Sequence, residues 1–197
     1  MKKLLLLLLF SVLLGYLLLA QEESIPDVLT VIHSRKSVRS YTDQKVSRDQ
    51  LTTLVKAGMA APTAMNKQPW FFVVIDDKEM LSTLANKMMF GNMLNFASAA
   101  IVVCGDMRRV PDALPKFWVQ DCSAASQNIL LAAEGTGLGA VWIGVYPNKI
   151  AVRKVRKFLN LPRHYVPLNI ISIGYPDGSE RPKNKWDENR VIWNKND

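Results

Sequence analysis

Two continuous apolar runs, Trp70 to Ile75 and Ala99 to Cys104, set the frame for this chain, with Leu138 to Val145 and Val166 to Ile173 as further buried-strand candidates. The first is closed by Asp76-Asp77, and all four read as strands buried on both faces. Around them the apolar residues recur at helical spacing. Ser24, Pro26 and Asp27 mark a helix start, with Ser24 as cap, followed by the stripe Ile25, Val28, Leu29 and Ile32. Ser47 and Gln50 form a capping box ahead of Leu51, Leu54, Val55 and Met59, and Pro62 ends that helix. Further helices are expected over residues 78–95, 119–134 and 148–159, the second rich in Ala and Ser and suited to close packing. Helices and strands therefore alternate through one domain without an internal repeat. With 197 residues, 49% of them apolar, the chain can bury a core without disulfides or a structural metal.

Residues 1–20 stand apart from this pattern. Lys2 and Lys3 precede an apolar stretch from Leu4 to Ala20, and Gln21-Glu22-Glu23 follows, which is the order of a secretory signal peptide. Leu18 stands where a cleavage site favours a small residue, so an uncleaved membrane anchor is the alternative. The expectation is an exported, periplasmic or secreted domain over residues 21–197, or a membrane-anchored one. The formal charge of +8 favours anionic ligands, without choosing among phosphates, lipids and nucleic acid.

The usual hydrolytic and metal constellations are missing. His33 and His164 are isolated, no serine sits in a nucleophile elbow, and Cys104 and Cys122 fall on an apolar strand and a helix face as core thiols. Gly135-Thr136-Gly137-Leu138-Gly139-Ala140 matches a dinucleotide fingerprint in letters only. That fingerprint needs a strand before it and a helix after it, whereas here a helix precedes and a strand follows.

Four stretches carry binding chemistry, each with a plainer reading beside it. Arg35-Lys36-Ser37-Val38-Arg39-Ser40-Tyr41 offers guanidinium forks and hydroxyls to a phosphate, or is a solvated helix end. Ala61 to Trp70 places Thr63, Asn66 and Gln68 between two prolines, suited to an amide-like edge, or is a polar connection. Gly137 to Gly144 lets backbone approach a flat ligand, or is a tightly packed strand. Arg181 to Asp187 is a basic tail that returns to a phosphate, or is a charged terminus with Trp186 and Trp193 as anchors.

Taken in this order, the four stretches resemble the FMN-dependent nitroreductase family from about Val28 to Trp193. RKSVRSY is similar to the family's Arg-x-Ser-x-Arg opening, APTAMNKQPW to its Pro-Ser/Thr-x-x-Asn-x-Gln-Pro-Trp loop, and SQNILLAAEGTGLGAVWIG to its helix-to-strand segment. The resemblance implies an α+β sheet flanked by helices, in an intertwined homodimer with FMN at the interface. It assigns Arg35, Lys36, Ser37 and Arg39 to the FMN phosphate and the flavin's polar edge. It brings Pro62, Thr63, Ala64, Asn66 and Gln68 from the partner subunit, and lays Trp142, Ile143 and Gly144 along the ring. Lys183 and Lys185 match a basic pair at the phosphate, although Lys185 stands where the family pattern calls for Arg and cannot make a two-pronged contact.

The implied activity is ping-pong transfer of electrons from NAD(P)H, or another donor, through FMN to a nitroaromatic, quinone or similar small acceptor. No side-chain nucleophile or metal takes part, since the cofactor carries the chemistry. Phe117 and Trp118, beside the long loop from Asp106 to Lys116, would lid the cleft or serve as core aromatics. An alternative is a non-catalytic FMN-binding or sequestering protein on the same scaffold. Nucleic acid is not an expected partner. The helix carrying Lys149, Arg153, Lys154, Arg156 and Lys157 is a contact for a polyanion or membrane surface, weighed against a solvated face.

Overall fold

The structure is a computed structural model that describes residues 27–194, so the leader and the cap expected at Ser24 lie outside the described residues. Helix α1 spans Val28–Ser34 and is capped instead by Asp27, whose Oδ2 accepts from the Leu29 and Thr30 N–H groups. Of its apolar residues only Val31 is buried, while Val28, Leu29 and Ile32 face outward. Helix α2, Arg48–Met59, starts at the expected capping box: Ser47 accepts from the Gln50 N–H, and the Gln50 side chain accepts in return from the Ser47 N–H.

Strands β1 (Trp70–Ile75), β2 (Ala99–Asp106), β3 (Gly139–Gly144) and β4 (Tyr165–Gly174) form one antiparallel sheet in the order β1-β2-β4-β3. Only the central strands are buried on both faces. β1 and β3 are edges, with Val74, Trp142 and Gly144 exposed, which corrects the sequence expectation for these two runs. An apolar run shows that both faces of a strand meet helices near its middle; it does not show which strands have two neighbours.

Helices α3 (Lys78–Lys87), α4 (Phe117–Gly135) and α5 (Lys149–Phe158) complete the two layers. The expected helix over residues 78–95 stops at Lys87, and a 3₁₀ turn, Asn92–Asn95, follows Gly91. On one side of the sheet Ile101, Val103, Ile171 and Ile173 pack with Leu51 and Leu54 of α2 and with Cys122, Ile129 and Ala133 of α4. On the other side Ala100, Val102, Cys104 and Ile170 pack with Leu81 and Leu84 of α3 and Val155 of α5. A Cβ at Gly58 of α2 would lie 3.0 Å from Ile129 of α4, so the small residue permits the close helix contact expected from the sequence. The anchoring role expected of Trp186 and Trp193 is not met within one chain, where they are 73% and 84% exposed.

Both cysteines are free and buried, and the Cys122 thiol points at the Cys104 carbonyl 3.5 Å away. Loss of hydration pushes the Cys104 thiol up to about 12, and the Cys122 thiol upward as well, so neither supplies a thiolate near neutral pH. A thiol-specific reagent at pH 8 is expected to leave both untouched in the native protein and to label both in denaturant. Fast labelling without denaturant would show that this core opens readily.

Candidate functional site

The segment 35–41 is fastened to the free edge of β3. The Val38 N–H donates to the Ala140 carbonyl at 3.1 Å, Ser37 forms a parallel bridge with Ala140, and the Val38 side chain is fully buried over Gly139. Tyr41 closes the other end: its hydroxyl donates to the Val38 carbonyl at 2.8 Å and lies 2.5 Å from Ser172 Oγ. Burial raises the Tyr41 pKa and keeps the phenol protonated. With Val38 and Tyr41 turned inward, Arg39 is left exposed and Arg35 and Ser37 half-buried. Lys36 is spoken for, because its ammonium lies 3.2 Å from the Glu134 carboxylate at the end of α4, and both side chains are largely buried.

The tail reaches the same place through a residue that the sequence reading passed over. Glu180 Oε1 accepts from the Arg39 N–H at 2.6 Å and from the Ser40 N–H at 3.2 Å. The Thr42 N–H donates to the Tyr175 carbonyl and the Asp177 N–H to the Ser40 carbonyl. These contacts lay residues 175–180 along residues 39–42, a few residues before Lys183 and Lys185. Both lysines are exposed, and neither takes part in an ion pair among the described residues. No local pattern in the sequence marks Glu180; only its position next to the basic tail hints at a role.

Along β3 the side chains alternate. Ile143 is 4% exposed and belongs to the core, so its side chain is unavailable to a ligand, whereas Trp142 and Gly144 face out. Backbone direction alternates too. Ala140 turns its carbonyl to the outer edge for Val38, so Trp142 and Gly144 present their N–H and C=O groups along that same edge, where β3 has no further strand neighbour. Gly144 has open space where a side chain would be. Trp118 is a core residue, meeting Tyr146 edge to face at 4.9 Å, and Phe117 is the exposed member of the pair.

The 62–68 loop is held in an uncommon backbone. Met65, Asn66 and Gln68 have φ of 52, 51 and 49, the left-handed region that non-glycine residues seldom adopt. Such strain persists only where surrounding contacts fix it, and it concentrates at functional sites. Here Asp121 of α4 accepts from the Ala64 N–H at 2.9 Å, Thr63 Oγ1 accepts from the Gln68 N–H, and Arg109 donates to the Lys67 carbonyl. The Gln68 amide donates to Asn66 Oδ1 at 2.9 Å, and Pro62, Thr63, Ala64, Asn66 and Gln68 all remain at least partly exposed.

Within one chain this loop does not meet the other three segments. It enters β1 at Trp70, opposite Gly105 near the end of β2, while residues 37–41 sit by Gly139 and Gly174 on the far edge strand and at the other end of the sheet. Three strand spacings, roughly 14 Å, separate the two edges.

The sequence matches the nitroreductase family over residues 32–92 and 87–175. The chain belongs to the nitroreductase family. Among its relatives, a protein of Archaeoglobus fulgidus provisionally named NADH dehydrogenase/NAD(P)H nitroreductase is 45% identical over 76% of this chain and 86% of its own. A solved structure of the same provisional name from Parabacteroides distasonis superposes with a TM-score of 0.80 at 46% identity, covering 85% of this chain and 98% of that one. An FMN-dependent nitroreductase of Clostridium difficile gives 0.77 at 32% identity over 85% and 99%. The architecture is accordingly the α+β nitroreductase fold.

The seating of residues 37–41 on β3 gives a prediction. A Cβ at Gly139 would lie 2.6 Å from Val38 Cγ1, so Gly139→Ala is expected to cost about 1–3 kcal/mol in urea unfolding. Adding Val38→Ala should recover part of that loss, and two fully additive losses would show that the contact is not the cause.

Proposed function

We propose that two copies of this chain form a homodimer that holds one FMN in each of two clefts between them and carries electrons from NAD(P)H, or another donor, to a small acceptor. The observation that carries this reading is the separation just described: the segment with Arg35, Ser37 and Arg39 and the strained loop with Asn66 lie at opposite corners of the sheet. A second copy can bring the loop of one chain to the edge strand of the other. Val28, Leu29 and Ile32 on α1, with Trp186, Ile192 and Trp193 of the tail, leave apolar surface that such a partner would cover.

The residues present suit FMN. Arg35 and Arg39, with Lys183 and Lys185, supply a phosphate with cations that have no ion-pair partner among the described residues, and the Ser37 hydroxyl adds a donor. The outer-edge N–H groups of Trp142 and Gly144 would donate to the polar atoms of a flat ring, which the open space at Gly144 lets approach the backbone. From the second copy, Asn66 and Gln68 would offer amides, and Pro62, Thr63 and Ala64 the wall of the cleft. Lys36 acts through Glu134, tying the segment to α4 rather than meeting the phosphate. When bound, FMN supplies the redox chemistry, accepting electrons from NAD(P)H and passing them in a ping-pong sequence to a nitroaromatic, quinone or similar acceptor. The chain's part is to orient the ring, hold its phosphate and limit water at the cleft. Lys2, Lys3 and the apolar stretch from Leu4 to Ala20 support export of the domain, by a cleaved signal peptide or as a membrane-anchored protein.

The purified domain, residues 21–197, is expected to show flavin absorbance, or to acquire it from added FMN, and to bleach anaerobically with NADH or NADPH. Steady turnover of a quinone or nitroaromatic should follow. Bound flavin that no donor reduces would favour a sequestering role, and a protein that rejects FMN would overturn the reading.

A further inference from the structure

Neither Met80 to Gly105 nor Gly135 to Pro176 contains an Asp or Glu, and these two stretches supply every residue that lines a cleft of about 270 Å³ beside β3. Ile143 and Gly144 are its β3 wall, the place where the flavin ring meets the strand edge in the reading above, so the cleft is a part of that site. Met89 and Phe90, 86% and 75% exposed in the turn after α3, and Ile150 of α5 give it apolar sides.

The polar side chains of this lining are Lys87, Asn148 and Lys154. Asn148 Oδ1 caps α5, accepting from the Ile150 N–H at 3.0 Å and the Ala151 N–H at 3.1 Å, so its lone pairs are used and its NH₂ group is what remains. Lys87 is half-buried with its ammonium 5.4 Å over the Phe158 ring, and Lys154 is exposed. Neither has a carboxylate partner among the described residues, where the ion pairs are Lys36–Glu134, Arg48–Asp76, Arg108–Asp106 and Arg190–Asp187. Glu79, the acid of α3, sits in the first turn of that helix, at the opposite end from Lys87. Each polar side-chain group left free at the cleft is therefore a donor, and two of the three are cations, which is the chemistry that answers an anion.

We infer that this cleft is the acceptor pocket of the flavin site and that it selects small aromatic acceptors bearing an anionic group, a carboxylate or sulfonate on a one- or two-ring nitroaromatic or quinone. The ring would lie between the apolar sides, where Phe90 and the thioethers of Met88 and Met89 suit an aromatic face, with its anionic group at Lys154, Lys87 and the Asn148 amide. The diphosphate of a nicotinamide donor would also answer these cations. The volume favours the acceptor, because about 270 Å³ falls below the roughly 300–1,000 Å³ of pockets that enclose drug-sized ligands, and a dinucleotide is larger still. The inference rests on the flavin reading, since the cleft meets a source of electrons only if the ring lies at Gly144.

The test uses the flavin-loaded domain, residues 21–197, which contain the whole core from Val31 to Ile173. Its ligands are two matched pairs: 4-nitrobenzoate with 4-nitrobenzamide as acceptors, and benzoate with benzamide as redox-inert analogues. Calorimetry on the oxidised protein is expected to show benzoate binding more tightly than benzamide, by a margin that shrinks as salt rises. The ratio of kcat/KM for nitrobenzoate over nitrobenzamide should fall about fivefold in Lys154→Ala, the size of an ion pair that stays partly in water, and should be kept in Lys154→Arg. Lys154 is exposed, so both variants should hold the parent's melting temperature. Equal binding of benzoate and benzamide, or a ratio unmoved by Lys154→Ala, in protein that holds FMN and is reduced by its donor would overturn this inference and leave the flavin reading standing. A Lys154→Ala loss confined to flavin reduction by NADH or NADPH would give the cations to the donor and overturn it as well. A domain that binds no FMN would overturn both.

Discussion

The antiparallel pairing of β2 with β4 is the contact on which the rest of this molecule depends. Both strands are buried on both faces, so helices must cover each side, and the sheet can grow only through β1 and β3. Those two edges are where backbone donors remain available, and the candidate ligand segments gather at them. Residues 35–41 join β3, and the strained 62–68 loop feeds β1. A four-stranded sheet thereby holds its two edge chemistries apart, and a ligand needing both has to lie between two molecules.

Electrostatics sharpen the division. Lys36 and Arg108 are committed to Glu134 and Asp106, contacts that fix backbone rather than bind ligands. The Arg108 guanidinium beside Asp106 holds that carboxyl below its ordinary range, so the pair stays charged where β2 ends. Arg35, Lys183 and Lys185 have no ion-pair partner among the described residues, and the Arg39 guanidinium donates to the Ser37 carbonyl. Glu180, accepting from two successive N–H groups, brings the tail's cations to the opening segment without neutralising them by a direct ion pair.

Much of this was legible in the sequence where the cause is local. The capping box at Ser47, the strand limits at Trp70 and Ile75, the glycine stop after α4 and the core position of both cysteines follow from neighbours within a few residues. What depends on distant partners was not legible. Nothing near Lys36 announces Glu134, and nothing in Ile143 tells that its neighbours on either side face out while it faces in until the register with Ile170 is known. The stripe of α1 reads as a core face by its spacing, yet it stays exposed because this chain offers it little beyond α4. The motifs themselves could be recognised, but their placement at opposite corners required the sheet order.

The most direct test is complementation between two defective copies. Arg39→Ala and Asn66→Ala proteins, each impaired in FMN binding, would be unfolded together and refolded as a mixture. If each cleft takes Arg39 from one copy and Asn66 from the other, mixed dimers contain one intact cleft and one carrying both defects, and tight FMN binding returns in proportion to the mixed species. If the mixture binds no more FMN than the separate variants while mixed dimers are present, one chain supplies both residues and the two-copy site is wrong.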